Sequence, residues 1–495
     1  MTTDVVICNL PKMLGSYLPA APAILKSVCN YLHLPSKVLD LNLDFLSACQ
    51  SNGVEMQKLI GILDGSTKDQ ELQNLIDDLV DSWVDKITVL NPKVIAISLF
   101  SYYAQGFARP LISALRHKSK AKIVIGGAGI KISINDVPAF AQELKESDQI
   151  DHYIVDDGEV DFFEYLKQCF HLDIAPITDA IEKPFLPDYS DYDIDSYLAW
   201  AQHTPDKRIM VPVVGSKGCV RQCDFCEIHQ HWKFQQKSAE HLEKEIITIL
   251  DLVDNPHIHF TDSLVNGSLS EFRRIVKMMQ TLRQNHKFTW GGQFIVRESN
   301  QFDEEDWRDL AASSFSLAEV GLETGSEILR HQMNKKFSND AVNFMLQMMD
   351  KYGVKCVFLM MVGHPHETED DFKKTVDMLK HYASYSNKVI SSLQLGYAVA
   401  VQPGTPLYDN SKELRIMTTK NPVIWMNQNN PTLTYSERLK RRQYLSNVAK
   451  DLGYTLAFDE DIAVGEYQHN QEVFAKHIKI MESMIKKPTS SSMIL

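Results

Sequence analysis

From the N-terminus onward, short apolar runs alternate with longer amphipathic ones. Residues 4–8, 36–41, 93–100, 121–125 and 151–155 are apolar stretches of strand length, whereas 21–32, 70–89, 107–116 and 160–169 repeat their apolar positions at helical spacing. This alternation over residues 1–170 predicts an α/β domain built on a Rossmann-like, doubly wound parallel sheet. Residues 171–205 break the rhythm: Pro176, Pro184 and Pro187 lead into Asp188-Tyr189-Ser190-Asp191-Tyr192-Asp193, and the segment reads as a linker. A second series follows, with strands predicted at 210–215, 257–260, 288–294, 316–321, 354–362 and 390–401. Helices fit between them at 238–252, 268–285, 304–312, 340–352 and 369–383. Six βα units within 206–406 predict a partial (β/α)6 barrel, whose working groups belong at the C-terminal ends of its strands. Residues 407–495 read as a helical C-terminal region, with periodicity near 436–452 and 472–485 and a basic run at Lys440-Arg441-Arg442.

Composition narrows the function classes. Apolar residues make up 44% of the 495 and charged residues 23%, the balance of an ordinary folded chain and not of a disordered or collagen-like one. A formal net charge of −13 supplies no global field for a polyanion, which disfavours nucleic acid as a partner. The apolar runs fall well short of the roughly 20 residues that span a bilayer, and residues 1–10 lack a basic segment followed by an apolar one, so no membrane span and a cytoplasmic location are expected.

Eight cysteines are too few for a disulfide framework, yet Cys219, Cys223 and Cys226 crowd into one stretch directly after the first strand of the second series. Three thiolates on a tight loop suit a soft metal centre: they can hold three irons of a [4Fe-4S] cube and leave the fourth open. Structural zinc is the alternative, since His229 could complete a Cys3His tetrahedron. Position disfavours zinc, because the loop sits at the C-terminal end of a barrel strand and does not close off a small module.

The loop Gly218-Cys219-Val220-Arg221-Gln222-Cys223-Asp224-Phe225-Cys226, opening a partial barrel, resembles the radical S-adenosylmethionine (SAM) superfamily. Four further segments extend the likeness: Phe260-Thr261-Asp262-Ser263, Gly321-Leu322-Glu323-Thr324-Gly325-Ser326, Gly363-His364-Pro365-His366-Glu367-Thr368 and Pro403-Gly404-Thr405-Pro406-Leu407-Tyr408. In this order they resemble the subgroup that carries an N-terminal cobalamin-binding domain. Ser98-Leu99-Phe100, Gly126-Gly127 and Asp156-Asp157-Gly158-Glu159 resemble elements of that domain. The subgroup's Asp-x-His-x-x-Gly element is absent, its place taken by Asn9-Leu10-Pro11-Lys12-Met13-Leu14-Gly15, so the resemblance implies either cobalamin held without a protein histidine ligand or the domain's fold kept without the cofactor.

The resemblance also implies roles. Cys219, Cys223 and Cys226 would ligate the cluster; Phe225, Asp262, Ser263, Gln293, Arg297 and Glu323 would surround SAM; Ser98, Gly126 and Gly127 would hold cobalamin. Ordinary readings stand beside these: Asp262, Ser263 or Asn266 as helix caps, Arg297 as the partner of Glu304 or Glu305, Phe225 as loop core, and Cys8, Cys29, Cys49, Cys169 and Cys356 as packing residues. The implied activity is reductive cleavage of SAM to a 5′-deoxyadenosyl radical and methylation of an unactivated carbon in a small-molecule or natural-product substrate, with flavodoxin or ferredoxin as electron donor. Alternatives are a radical SAM cyclase or rearrangement enzyme, a tRNA methylthiotransferase-like enzyme, and a noncatalytic cofactor-binding protein. The methylthiotransferase reading is weakened by the spacing of Cys8, Cys29 and Cys49 and by the net charge.

Overall fold

The computed structural model describes residues 3–11, 15–55, 58–59, 68–131, 137–155, 158–179, 181–204, 206–419 and 421–457. Lys12, Met13, Leu14, Asp156, Asp157 and the helix expected at 472–485 lie outside the described residues. The chain forms two compact units. One comprises Met1–Val213, Glu240–Ile258 and His286–Phe288; the other takes Val214–Ala239, His259–Asn285 and the described residues from Thr289 onward.

In the first unit, strands β1 (Val5–Asn9), β2 (Ser36–Asp40), β3 (Val94–Ser98), β4 (Lys122–Gly126) and β5 (His152–Ile154) form one parallel sheet in the order β2-β1-β3-β4-β5. Every residue of β1 and β3 is buried, which explains why their sequences, VVICN and VIAIS, are continuous apolar runs and do not alternate. Helices cover the sheet, and Phe45, Trp83 and Phe107 form an aromatic centre in the core beside it. The order reverses between β1 and β3, so the crevice at their C-terminal ends is the place where such a sheet accepts a ligand. Ser98 ends β3 and Gly126 ends β4, both at that rim.

The acidic, aromatic stretch before the second series is fastened to this unit. Asp191 pairs with Lys26 and with Lys37, each at 2.7 Å, and the Tyr192 hydroxyl donates to the Pro19 carbonyl at 2.9 Å. A helix not expected from the sequence, Ile194–Ala201, is capped by Asp193, and its Tyr197 hydroxyl donates to Asp40. Three prolines and a run of aspartates hid this helix, because its eight residues offer barely two turns of periodicity.

Strands β6 (Met210–Val213), β9 (His257–Phe260), β10 (Thr289–Phe294), β11 (Phe315–Glu323), β12 (Lys355–Val362) and β13 (Ile390–Ala398) form a six-stranded sheet in the order β13-β12-β11-β10-β9-β6. Two short strands, β7 (Ser216–Lys217) and β8 (Gln235–Gln236), pair antiparallel, as do β14 (Ile416–Thr418) and β15 (Trp425–Asn427). Along β11 and β12 burial alternates. Ala318, Val320, Cys356, Phe358 and Met360 are buried, whereas Leu317, Glu319, Val357, Leu359 and Met361 are half-buried. The buried face continues into Phe260, Trp290, Phe294 and Phe315, which meet Phe272 and Trp307 of the flanking helices. Cys356 is a packing residue.

Beyond residue 407 the chain holds the β14–β15 ribbon as well as the helix Tyr435–Asp451. That helix turns its arginines inward. Arg438 stacks on Trp425 at 3.7 Å and donates to the carbonyls of Val423, Trp425 and Leu433, and Arg442 donates to the carbonyls of Leu395 and Gly396. Burial pushes the Arg438 guanidinium down to about 9. Guanidinium groups satisfy carbonyls that an apolar helix face would leave bare.

Gly127 shows how the rim of the first sheet is built. It has φ +98°, and a Cβ there would lie 2.4 Å from the Leu99 carbonyl oxygen, so the turns after β3 and β4 touch through it. Gly53 also has a positive φ, +61°, but nothing lies within 4 Å of its would-be Cβ. Gly53→Ala should cost about 1 kcal/mol and Gly127→Ala at least about 2 kcal/mol more, read from urea midpoints of the two variants.

Candidate active site

The cysteine loop starts where β7 and β8 close its base, Ser216 opposite Gln236 and Lys217 opposite Gln235. Gly218 follows with φ +73°, and a Cβ on it would lie 2.6 Å from the Trp232 carbonyl oxygen. Only glycine fits where the two limbs of the loop cross so closely. Cys219, Cys223 and Cys226 lie on the near limb, all largely withdrawn from water. Burial raises the pKa of each thiol, that of Cys223 to about 12. The Lys335 ammonium pulls all three back. A thiophilic metal must therefore displace protons to bind, and Lys335 lowers that cost. Among the described residues, no group of three or more His, Cys, Asp or Glu side chains is drawn together as a ready metal site.

The loop is held from outside. Asp224 donates its backbone N–H to the Met333 carbonyl at 3.2 Å, and its carbonyl accepts the Leu407 N–H at 2.9 Å. Asn334 donates to the Gln222 carbonyl at 2.7 Å, and Gln402 to the Glu227 carboxylate at 3.2 Å. Phe225 packs on the cluster formed by Val399, Val401, Leu407, Ile416, Trp425 and Leu433. Its role as loop core is thus visible.

Asp262 ends the segment after β9 and is buried. Its carboxylate accepts the Gly215 N–H at 2.7 Å and the Ser216 hydroxyl at 2.8 Å, which ties the end of β9 to the foot of the cysteine loop. Burial raises its pKa to about 6 against those two hydrogen bonds. Neither Asp262, Ser263 nor Asn266 caps the next helix; Ser268 does so by accepting from Glu271. Asn266 instead exchanges two hydrogen bonds with the backbone of Ile295, at 2.8 and 2.9 Å, joining the loops after β9 and β10. Ser263 is half-buried at the same turn.

Arg297 does not pair with Glu304 or Glu305, whose partners are Lys351 and Arg308. Its Nη2 donates to the carbonyls of Asn266 and Gly267, while its buried Nε has no hydrogen-bond partner. Burial, with the Arg221 charge adding to it, pushes Arg297 down to about 10. Arg297 is thus a half-buried guanidinium with a second positive charge, Arg221, near it.

Glu323 occupies a β-bulge between β11 and β12 with φ +64°, which turns its side chain out of the strand's alternation. Its Oε1 lies 2.7 Å from Lys335 Nζ, and Lys335 also donates to the Gly321 carbonyl at 2.6 Å. Lys335 sits 5.9 Å from the centre of the Phe225 ring. Glu323, Lys335, Phe225 and the three thiols therefore share one neighbourhood. Gln293 is exposed on β10 in register with Glu319, and His259 Nε2 stands 3.9 Å from Glu319 Oε1 on the same open face. Sequence reasoning missed Lys335, His259 and Glu319. The His257-Ile258-His259 alternation on a strand was a usable signal for the second of these, whereas Lys335 looks like any surface lysine until the helix Glu327–Gln332 turns the chain back over β11.

In the first unit Ser98 is buried at the end of β3, Gly126 ends β4 with Gly127 directly after it, and Phe100 remains 59% exposed in the loop after β3. A large exposed aromatic at a switch-point rim is a surface suited to a flat, largely apolar ligand.

Comparison with known proteins agrees with this layout. Residues 213–379 match the Radical SAM superfamily. Among solved structures, the radical S-adenosylmethionine methyltransferase TsrM from Kitasatospora setae, with cobalamin and a [4Fe-4S] cluster bound, aligns with a TM-score of 0.59 at 13% identity, covering 89% of this chain and 82% of that one. TsrM with tryptophan substrate and a SAM analogue gives 0.57 at 14% identity, covering 85% and 80%. The cobalamin-dependent S-adenosylmethionine radical enzyme OxsB with aqua-cobalamin bound gives 0.54 at 16% identity, covering 83% of this chain and 55% of that one, so this chain spans about half of OxsB. No curated protein matches by sequence.

The buried Asp262 carboxyl has a consequence for stability. Its folded pKa of about 6 lies above the ordinary 3.8, so the folded chain binds the extra proton and the carboxyl's contribution falls as pH rises between the two values. Relative to Asp262→Asn, the wild-type chain should lose about 1–3 kcal/mol between about pH 4 and pH 7 and then level off, as followed by urea unfolding across that range.

Proposed function

We propose that this chain, which carries a radical SAM domain over residues 213–379, is a cobalamin-dependent radical SAM enzyme that methylates an unactivated carbon of a small molecule. The observation that carries the reading is the common neighbourhood of the three thiols, the Glu323–Lys335 pair and Phe225 on one externally fastened loop system. Fold likeness to TsrM and OxsB over more than four-fifths of the chain supports it.

In this reading Cys219, Cys223 and Cys226 would hold a [4Fe-4S] cluster, with SAM bound beside it. When bound, these groups would supply radical chemistry and, with cobalamin, a transferable methyl group. The protein's own part is charge placement and orientation. Arg297, a half-buried cation with Arg221 near it, suits the SAM carboxylate. Glu323 suits the SAM ammonium, and Lys335 keeps that carboxylate aimed while offsetting the charge of the thiolates. Asp262 acts from behind, holding the foot of the cysteine loop, and Ser263 and Gln293 offer neutral hydrogen-bonding groups at the strand ends. The open face with His259, Glu319, Val357, Leu359 and Met361 would receive the substrate, a mixture of polar and apolar groups suited to a small organic molecule.

In the first unit Ser98, Gly126 and Gly127 would meet cobalamin at the switch point with Phe100 against its face, and no histidine stands in the loop after β1 to ligate cobalt from below. A flavodoxin or ferredoxin would deliver the electron in the cytoplasm; no described helix is long and apolar enough to cross a membrane.

Anaerobically reconstituted protein should contain about four irons per chain, release 5′-deoxyadenosine from SAM on reduction, and lose both the cluster absorption and the cleavage in Cys223→Ala. Eight irons, or cleavage retained in the variant, refutes the assignment. Purification with cobalamin should yield the absorption bands of a bound corrinoid; a colourless N-terminal unit would move the chemistry to a cobalamin-independent reaction.

A further inference from the structure

We infer that His364, a residue of the loop after β12, positions the cysteine loop by donating a hydrogen bond to Asp224 in the middle of Cys223-Asp224-Phe225-Cys226. The inference deepens the reading of that loop as a cluster site and rests on it, although its first test needs no metal.

His364 is fully buried. The His366 backbone N–H donates to His364 Nδ1 at 3.3 Å, which leaves the ring proton on Nε2. Nε2 then faces both carboxylate oxygens of Asp224, at 3.1 and 3.2 Å. A shared donor between two oxygens of a largely buried carboxylate fixes the carboxylate plane as well as its distance.

The support behind His364 is equally defined. Glu367 donates its backbone N–H to the His364 carbonyl at 2.8 Å, and its buried carboxylate accepts the Gly363 N–H at 3.1 Å while pairing with Arg441 at 3.1 Å. Asn427 donates to the Pro365 carbonyl at 2.9 Å. The segment 363–367 is thus clamped by the C-terminal helix and by β15, and His364 is its one side chain that reaches into the cysteine loop through a described hydrogen bond. Backbone bonds from Met333 and Leu407 hold Asp224 along the chain, but they leave its side chain free to rotate; the imidazole stops that rotation. Asp224 lies between Cys223 and Cys226, so the bond that fixes its carboxylate adds a third anchor to the segment carrying those two thiols.

The test uses the full chain in two states. In metal-free protein, alkylation of Cys219, Cys223 and Cys226 by iodoacetamide is followed by peptide mass spectrometry. His364→Ala should react about threefold faster or more than wild type, whereas His364→Gln, whose amide can still donate to Asp224, should stay near the wild-type rate. In reconstituted protein, His364→Ala should lose its cluster to a chelator about tenfold faster and shift the electron paramagnetic resonance of the reduced cluster, and His364→Gln should restore both. Unchanged thiol reactivity in His364→Ala, or equal damage in His364→Gln, overturns the inference. Should His364→Ala fail to fold, His364→Leu takes its place and is combined with Asp224→Ala: Asp224→Ala should accelerate alkylation in the wild-type chain and add little in the His364→Leu background, and fully additive effects overturn the proposal. A wild-type chain that binds no cluster would refute the proposed function while leaving the metal-free comparison intact.

Discussion

Everything at the candidate site depends on one constraint: three thiols must be kept out of water on a loop that has no core of its own. Between β7 and β8 the chain offers no long helix and no apolar run that could fold by itself, so its order is imported. Carbonyls, amides and one imidazole from the segments after β11, β12 and β13 supply it. The burial that results raises the thiol pKa values, and the same neighbourhood answers with the Lys335 ammonium. Desolvation and compensating charge therefore arrive together, from different parts of the sequence.

Much of this architecture could be read before any coordinates. β9 falls on the residues expected, and the strands of both sheets lie within a few residues of their predicted places; β1 and β3, buried on both faces, have to be continuous apolar runs. The cysteine loop was legible for another reason: rare residues at close spacing have few structural explanations. Pairwise geometry was hidden. Nothing local distinguishes Lys335 from Lys336, and only the bulge at Glu323 decides which ammonium meets the carboxylate. Asp262 was expected near SAM, and what the sequence did not disclose is that its carboxylate fastens the foot of the loop, a contact between residues 47 positions apart. Arg297 was weighed against a surface ion pair, but its contacts are carbonyls of the neighbouring turn.

The C-terminal region shows the reverse failure, a helix whose periodicity was seen and whose orientation was concealed. Lys440-Arg441-Arg442 looks like the solvated side of a surface helix, yet Arg438, Arg441 and Arg442 are all buried while Tyr444 is 54% exposed. Binary patterning assumes that carbon faces the interior. Here the interior it meets is made of strand-end carbonyls and the Glu367 carboxylate, for which guanidinium is the better complement.

That reversal gives the helix Tyr435–Asp451 a selectivity an oily helix lacks. An apolar face would settle against almost any hydrophobic surface, at many angles, with little loss. A row of planar cations needs its acceptors at fixed places and finds them around β13, the ribbon and the turn carrying Glu367, so the last described helix has a single berth.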